Sequence, residues 1–217
     1  MTTRSTGVPS QISIPPAAGR DDELKASRDR IRLLTPAPRR FVMIDGEGPP
    51  AADAFEARIP GLYGVAYPIR FALKRRGVLG RVGPLEGVWW STDGETDLDA
   101  IFAGDRATWR WTLMIGIPDE ASDAEISEHL EAGRAKLAPG LAASLYVDLF
   151  DEGPAAQLLH IGPYAEERPT IERLHEQIVA AGLRPRGRHH ELYVGDPRRS
   201  APERLRTLIR QPVAARV

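Results

Sequence analysis

Glu191 and Tyr193 stand two residues apart in His189-His190-Glu191-Leu192-Tyr193-Val194, a strand-like run closed by the turn residues Gly195-Asp196-Pro197. Side chains alternate across a strand, so the carboxylate and the phenol share a face. Together they supply a proton acceptor beside an aromatic hydrogen-bond donor, the equipment for gripping or transforming an organic molecule. A second acid, Glu86, lies in Leu85-Glu86-Gly87-Val88-Trp89-Trp90. Alternation there separates Glu86, Val88 and Trp90 from Leu85, Gly87 and Trp89. The other two of the four tryptophans fall in Trp109-Arg110-Trp111. Large aromatics most often fill cores. They become candidate pocket walls if the acid-bearing strand of Glu191 lies alongside.

Other chemistries find less support. No two of the five histidines have the spacing that puts metal ligands on one helical turn, and His189 and His190 point to opposite faces. His175 falls on an apolar helical stripe and reads as a packed core histidine. The chain has no cysteine, which excludes disulfides and thiolate nucleophiles and fits a reducing compartment. Neither a Gly-x-Ser-x-Gly elbow, a phosphate loop nor a dinucleotide fingerprint occurs, so no metal and no cofactor is expected. The 217 residues carry 29 basic and 30 acidic side chains, a net charge of −1. That gives no electrostatic reason for a nucleic-acid partner. No apolar window approaches the ~20 residues of a membrane span, and no signal-peptide core is present. A cytoplasmic protein with no membrane partner is expected.

Several segments must position these residues. Residues 1–21, rich in Ser, Thr, Pro and Gly, read as a mobile arm. Arg39 to Gly46 reads as a first strand. Asp53 to Arg76 carries Phe55, Ile59, Leu62, Tyr63, Ala66, Ile69, Phe71 and Leu73 at largely helical spacing, with Pro60 predicting a break near Arg58 and Pro68 a kink near Tyr67. Ser122-Asp123-Ala124-Glu125 is a capping-box pattern that opens a linker helix. Ser144 to Phe150 and Ala155 to Ile161 read as strands joined by a hairpin turn at 151–154. Ile171, Leu174, His175, Ile178 and Val179 mark an amphipathic helix from about Glu167. A second capping-box pattern at Ser200-Ala201-Pro202-Glu203 predicts a final helix. The order suggests two related halves, about 38–120 and 140–217, in an α+β protein with helices packed on an antiparallel sheet.

The runs Pro84-Leu85-Glu86-Gly87-Val88-Trp89-Trp90, Trp109-Arg110-Trp111-Thr112-Leu113-Met114, Leu159-His160-Ile161-Gly162-Pro163-Tyr164 with Thr170-Ile171, and His190-Glu191-Leu192-Tyr193 through Arg199 resemble the GyrI-like (gyrase-inhibitor-like) small-molecule-binding family. The likeness is greatest to its stand-alone bacterial branch and extends from about Asp22 to Val213. It implies one GyrI-like domain over 22–217, built of duplicated strand-helix-strand-strand (SHS2-type) modules with a central ligand groove. Such domains are related to effector domains of multidrug-sensing regulators, and some stand-alone members are hydrolases that open the cyclopropane of DNA-alkylating natural products.

Two functions are compatible with that resemblance. In a hydrolase, Glu191 acts as general base to water and Tyr193 or Tyr146 donates to a substrate carbonyl. Tyr67, Trp89, Trp90, Trp111 and Tyr146 form aromatic walls, and Glu86 is the next carboxylate to consider. In a non-catalytic binder, Glu191 is the counter-charge for a cationic aromatic drug. Either way the partner is a small aromatic molecule. A homodimer is compatible with both.

Overall fold

The computed structural model describes residues 13–49, 52–92 and 106–216. After α1 (Arg20–Glu23) and β1 (Arg32–Leu34), a first unit runs β2 (Arg39–Glu47), α2 (Ala52–Glu56), α3 (Ile59–Arg75), β3 (Leu85–Ser91) and β4 (Trp109–Gly116). A linker of α4 (Asp123–Arg134) and α5 (Pro139–Ala142) leads to β5 (Leu145–Phe150). The second unit runs β6 (Ala155–Ile161), α6 (Arg168–Ala180), β7 (Leu183–Pro185), β8 (His189–Tyr193) and β9 (Arg206–Ala215). The described strands form one nine-stranded sheet in the order β1-β6-β9-β8-β3-β4-β2-β5, with β7 paired to β9. It is an α+β protein of duplicated strand-helix-strand-strand units, which meet where β3 pairs antiparallel with β8.

The same apolar periodicity that marks each helix decides its place. Leu62, Val65, Ile69 and Leu73 of α3 are buried with Val42, Ile44, Leu113 and Ile115 of β2 and β4. Ile171, Leu174 and Ile178 of α6 are buried with Ala156, Leu158 and Ile209 of β6 and β9. Strand register puts all of these sheet residues on one face, so both helices lie on it and flank the β3–β8 seam. Gly61, Gly64 and Gly133 let α3 and α4 approach closely. A Cβ on Gly133 would lie 2.5 Å from Val65 and 2.8 Å from the Gly61 carbonyl oxygen.

The break at Arg58 is present: α2 and α3 are separate helices, with Pro60 in the first turn of α3, where its missing N–H costs nothing. That helix runs on through Pro68. The capping box forms, Ser122 and Glu125 satisfying each other's amides.

Three expectations are corrected. Residues 206–215 are a strand, preceded only by a short turn at Pro202–Arg204. Leu208, Ile209, Arg210, Gln211, Pro212 and Val213 are buried on both faces of the sheet, so the run lacks the alternation that identifies a half-exposed strand. Secondly, β5 and β6 do not form a hairpin: β5 pairs with β2 and β6 with β9. Six strand positions separate them, about 29 Å along a flat sheet at ~4.8 Å each, whereas the link between them reaches about 18 Å. The sheet therefore curls, and residues 151–154 cross its back face. Finally, order begins upstream of residue 22. Pro16 bridges Thr35, and α1 packs on the back of the sheet with Glu23 fully buried. Residues 1–12 of the expected arm lie outside the described residues.

Candidate functional site

The seam between the two units is the floor of the site. Register aligns Leu158, Ile209, Glu191, Gly87 and Leu113 in one row across the helix-bearing face, and His189, Trp89, Trp111 and Gly46 in the next. Tyr193 follows Glu191 on the same face, opposite Leu85 and Thr207. The glycines are steric requirements. A Cβ on Gly46 would meet the Trp111 ring at 2.1 Å, and one on Gly87 would lie 2.8 Å from Trp89 Nε1 and 2.9 Å from Tyr193 Oη. The Gly87→Ala variant is therefore expected to push both polar atoms aside and to lower ligand turnover or affinity by about 10–100-fold. Kinetics or ligand titration, read beside the melting temperature, checks this against simple unfolding.

Around this floor stands a cluster of aromatic rings. Trp89 contacts Trp111 at 5.9 Å and Trp109 at 6.4 Å between centroids. Phe55 of α2 lies parallel to Trp89 at 6.4 Å and edge-on to Tyr193 at 6.3 Å. Tyr164 packs edge-on against Tyr193 from the other side at 5.5 Å. Phe55 thus occupies the stacking surface that a planar ligand would take, and it sits on a five-residue helix rather than on the sheet.

Glu191 is held inside this cluster with only 13% of its side chain exposed. Tyr193 donates its hydroxyl proton to Glu191 Oε2 at 2.8 Å, and His189 Nε2 lies 3.1 Å from Oε1. Burial, reinforced by the negative charge of Glu191, raises the Tyr193 phenol well above its ordinary pKa, so it stays a donor. Trp89 Nε1 is buried, and its N–H faces the Tyr193 hydroxyl oxygen. A second carboxyl, Glu167 at the start of α6, is 5% exposed, and its Oε1 is also unpartnered. Burial and the neighbouring charge of Glu191 push its pKa up to about 9. His160 bonds Thr170 through Nδ1 at 3.1 Å, and burial lowers its pKa. His175 is lowered to about 4 by burial and by His189, with Nε2 unpartnered.

The structure therefore brings together Glu191, Tyr193, Trp89 and Trp111 from among the expected site residues. It places Glu86, Trp90 and Tyr146 on the opposite face, a correction that strand parity requires. Glu86 is fully buried in ion pairs with Arg20 and His190. Trp90 lies 3.7 Å beneath the Arg188 guanidinium. Tyr146 donates to Asp45 at 3.1 Å, so its hydroxyl is committed on the back face. Tyr67 is 48% exposed in a stack with Tyr63 and Phe71 on α3, outside the Glu191 cluster. There it lines a surface depression of about 330 Å³ with Arg70, Lys74 and Arg81. Gly87, Phe55, Tyr164 and Glu167 were not anticipated as site residues. Phe55 was recognised only as part of an apolar stripe and Tyr164 only within a family-like run.

On the back face, α1 and the 151–154 crossover bury a charged network. Glu152 bonds His190 at 2.9 Å and Arg210 at 2.8 Å, while Arg20 pairs with Glu23 and Glu86, and Glu23 with Arg39. Arg210 also donates to Gln157 and to the Glu23 carbonyl. All charges here are paired, so the network anchors the curled sheet and offers no free group for chemistry. Among the described residues no cluster of three metal-binding side chains occurs, and no helix is long and apolar enough to cross a membrane.

The seam of the duplicated fold thus carries a buried carboxylate enclosed by aromatic rings. A family model described as GyrI-like small molecule binding domain matches residues 30–214, and the chain belongs to that family. No curated protein matches it. It is similar to the crystal structure of an uncharacterized conserved protein from Listeria innocua, at 31% identity and a TM-score of 0.74, over 89% of this chain and 97% of that one. A structure described as a hydrolase from Listeria innocua is 28% identical with a TM-score of 0.69, over 89% of this chain and 96% of that one. The EcmrR C-terminal domain, 11% identical with a TM-score of 0.53 over 86% of this chain and 98% of that one, shares the fold.

Proposed function

We propose that this protein is a hydrolase that detoxifies planar electrophilic compounds of the cyclopropanoid type by adding water to them. The observation that carries this reading is Glu191, a nearly buried carboxylate fixed by Tyr193 and His189 at the base of an aromatic cluster. The ring system stacks on Trp89 once Phe55 moves aside, and Glu191 removes a proton from the attacking water. Tyr193 orients Glu191, and the Trp89 N–H, which faces the Tyr193 hydroxyl, turns to the substrate's carbonyl oxygen and bonds it more strongly as negative charge develops there. The similarity to a protein described as a hydrolase, over nearly the whole of both chains, supports the same class of reaction.

Incubation of the purified protein with a cyclopropanoid alkylator tests this. Ring-opened product in excess over protein supports the hydrolase, and retention of unaltered compound contradicts it. The Trp89→Phe variant keeps an aromatic ring but removes the N–H. Its kcat/KM is expected to fall about tenfold, the worth of one hydrogen bond of ~1.4 kcal/mol.

A second reading is favoured by one contact. The Arg58 guanidinium lies 4.8 Å over the Trp111 ring, so this aromatic cluster already accommodates a cation. In that case the protein is a sink for cationic aromatic drugs with Glu191 as counter-charge. Calorimetric titration with such a compound, in the absence of any reaction, distinguishes it.

A further inference from the structure

We infer that Glu167 is the proton donor that works opposite Glu191, delivering a proton to the substrate's carbonyl oxygen while Glu191 takes one from water. The proposal rests on the hydrolase reading above and assigns it a second carboxyl. The Glu167 carbonyl accepts the amides of Thr170 and Ile171 at 2.9 and 3.0 Å, which fixes its backbone at the first turn of α6. Its side chain is buried beside Glu191 of β8 and the Thr207 hydroxyl of β9, and Oε1 has no hydrogen-bond partner. A buried carboxyl oxygen left without a partner is destabilising, and nothing in the packing of α6 calls for one.

The groups that act on Glu167 are themselves acids or hydroxyls. Glu191 of β8 is the charge that opposes its ionisation, Thr207 of β9 faces it, and the Tyr164 and Tyr193 phenols feel its charge in turn. Glu166 and His160 lie close by, the imidazole kept neutral by burial. Two carboxyls sharing one desolvated space do not both ionise at neutral pH, so the pair keeps one proton. Burial and Glu191 put that proton on Glu167, whose pKa rises to about 9.

The water oxygen bonds to a carbon of the strained ring as the ring C–C bond breaks. The electron pair passes through the conjugated system to the carbonyl oxygen, which takes the proton of Glu167. The proton of the water goes to Glu191, and its return to Glu167 resets the pair with one water consumed.

The test is the Glu167→Gln variant with a cyclopropanoid substrate. Gln is the neutral isostere of the protonated acid, so the variant should fold and bind normally. Its kcat is expected to fall by about 10²–10⁴-fold with KM nearly unchanged. The wild-type rate should decline as pH rises toward 9, and the residual rate of the variant should not. Independently of turnover, carbonyl-stretch infrared spectra at pH 7 should show a neutral carboxylic acid in the wild type that is missing in Glu167→Gln. Unchanged kcat and an unchanged alkaline decline, or no such band in the wild type, overturns the assignment while leaving Glu191 as base. A wild-type protein that shows the band but does not consume the substrate overturns the hydrolase reading, and the donor role of Glu167 with it.

Discussion

Replacing Glu191 by Gln is expected to lower turnover of a cyclopropanoid substrate by about 10²–10⁴-fold, the usual contribution of a positioned general base. Gln matches the shape of the carboxylate and still accepts the Tyr193 hydrogen bond now 2.8 Å long, so the site keeps its geometry and loses only the base. Binding of a neutral planar ligand should scarcely change, because the stacking surface of Trp89 is untouched. Steady-state kinetics and calorimetry separate the two effects. If the protein instead binds cationic drugs without reaction, the same substitution weakens their affinity and there is no turnover to lose. Undiminished turnover would remove Glu191 as base. Glu86 is then no substitute, since it lies on the other face and is consumed in ion pairs with Arg20 and His190.

The second large effect concerns stability. The Glu152→Ala variant is expected to lose about 3–5 kcal/mol, the cost of leaving buried charges unpaired. Glu152 and Arg210 are both almost wholly buried, and Glu152 also bonds His190. Arg210 retains Gln157, a neutral partner that does not offset its charge. The same contacts set the pH dependence. His190 and Arg210 hold the Glu152 carboxyl at about 2, against 4.5 for the free group, in spite of burial. Its contribution is complete above 4.5 and is lost as pH falls toward 2. His190 is shifted upward by Glu152 and Glu86 against a desolvation penalty. Its contribution is complete below 6.5 and is lost as pH rises through its raised value. The network should therefore stabilise most between about pH 4.5 and 6.5. Denaturation of Glu152→Ala and wild type across pH tests this, and a difference that does not shrink below 4.5 would contradict it.

The pairing of Glu191 with Tyr193 was legible because a period of two fixes the faces of a strand whatever its neighbours are. The same parity correctly separated Trp89 from Trp90. Which of the two joins Glu191 depends on register between β3 and β8, a long-range property, and parity alone could not keep Tyr146 from the back face. The overall class was readable from helical stripes alternating with strands. The final strand was misread because its residues are buried on both faces, leaving no alternation, while Ser200 to Glu203 copies a capping signal that produces only a short turn. The 151–154 segment has hairpin composition, but Glu152 is drawn onto the back face by His190 and Arg210, 38 and 58 residues away. Phe55 and Glu167 reach the seam through tertiary packing, and no local pattern announces that.

Hydrolysis is tested most directly by reaction of a cyclopropanoid alkylator in ¹⁸O-labelled water with catalytic amounts of the protein, read by mass spectrometry of both compound and protein. The expected result is many equivalents of ring-opened product carrying one ¹⁸O each, with the mass of the protein unchanged. Unaltered compound, or a single equivalent attached covalently to the protein, would contradict catalysis by Glu191.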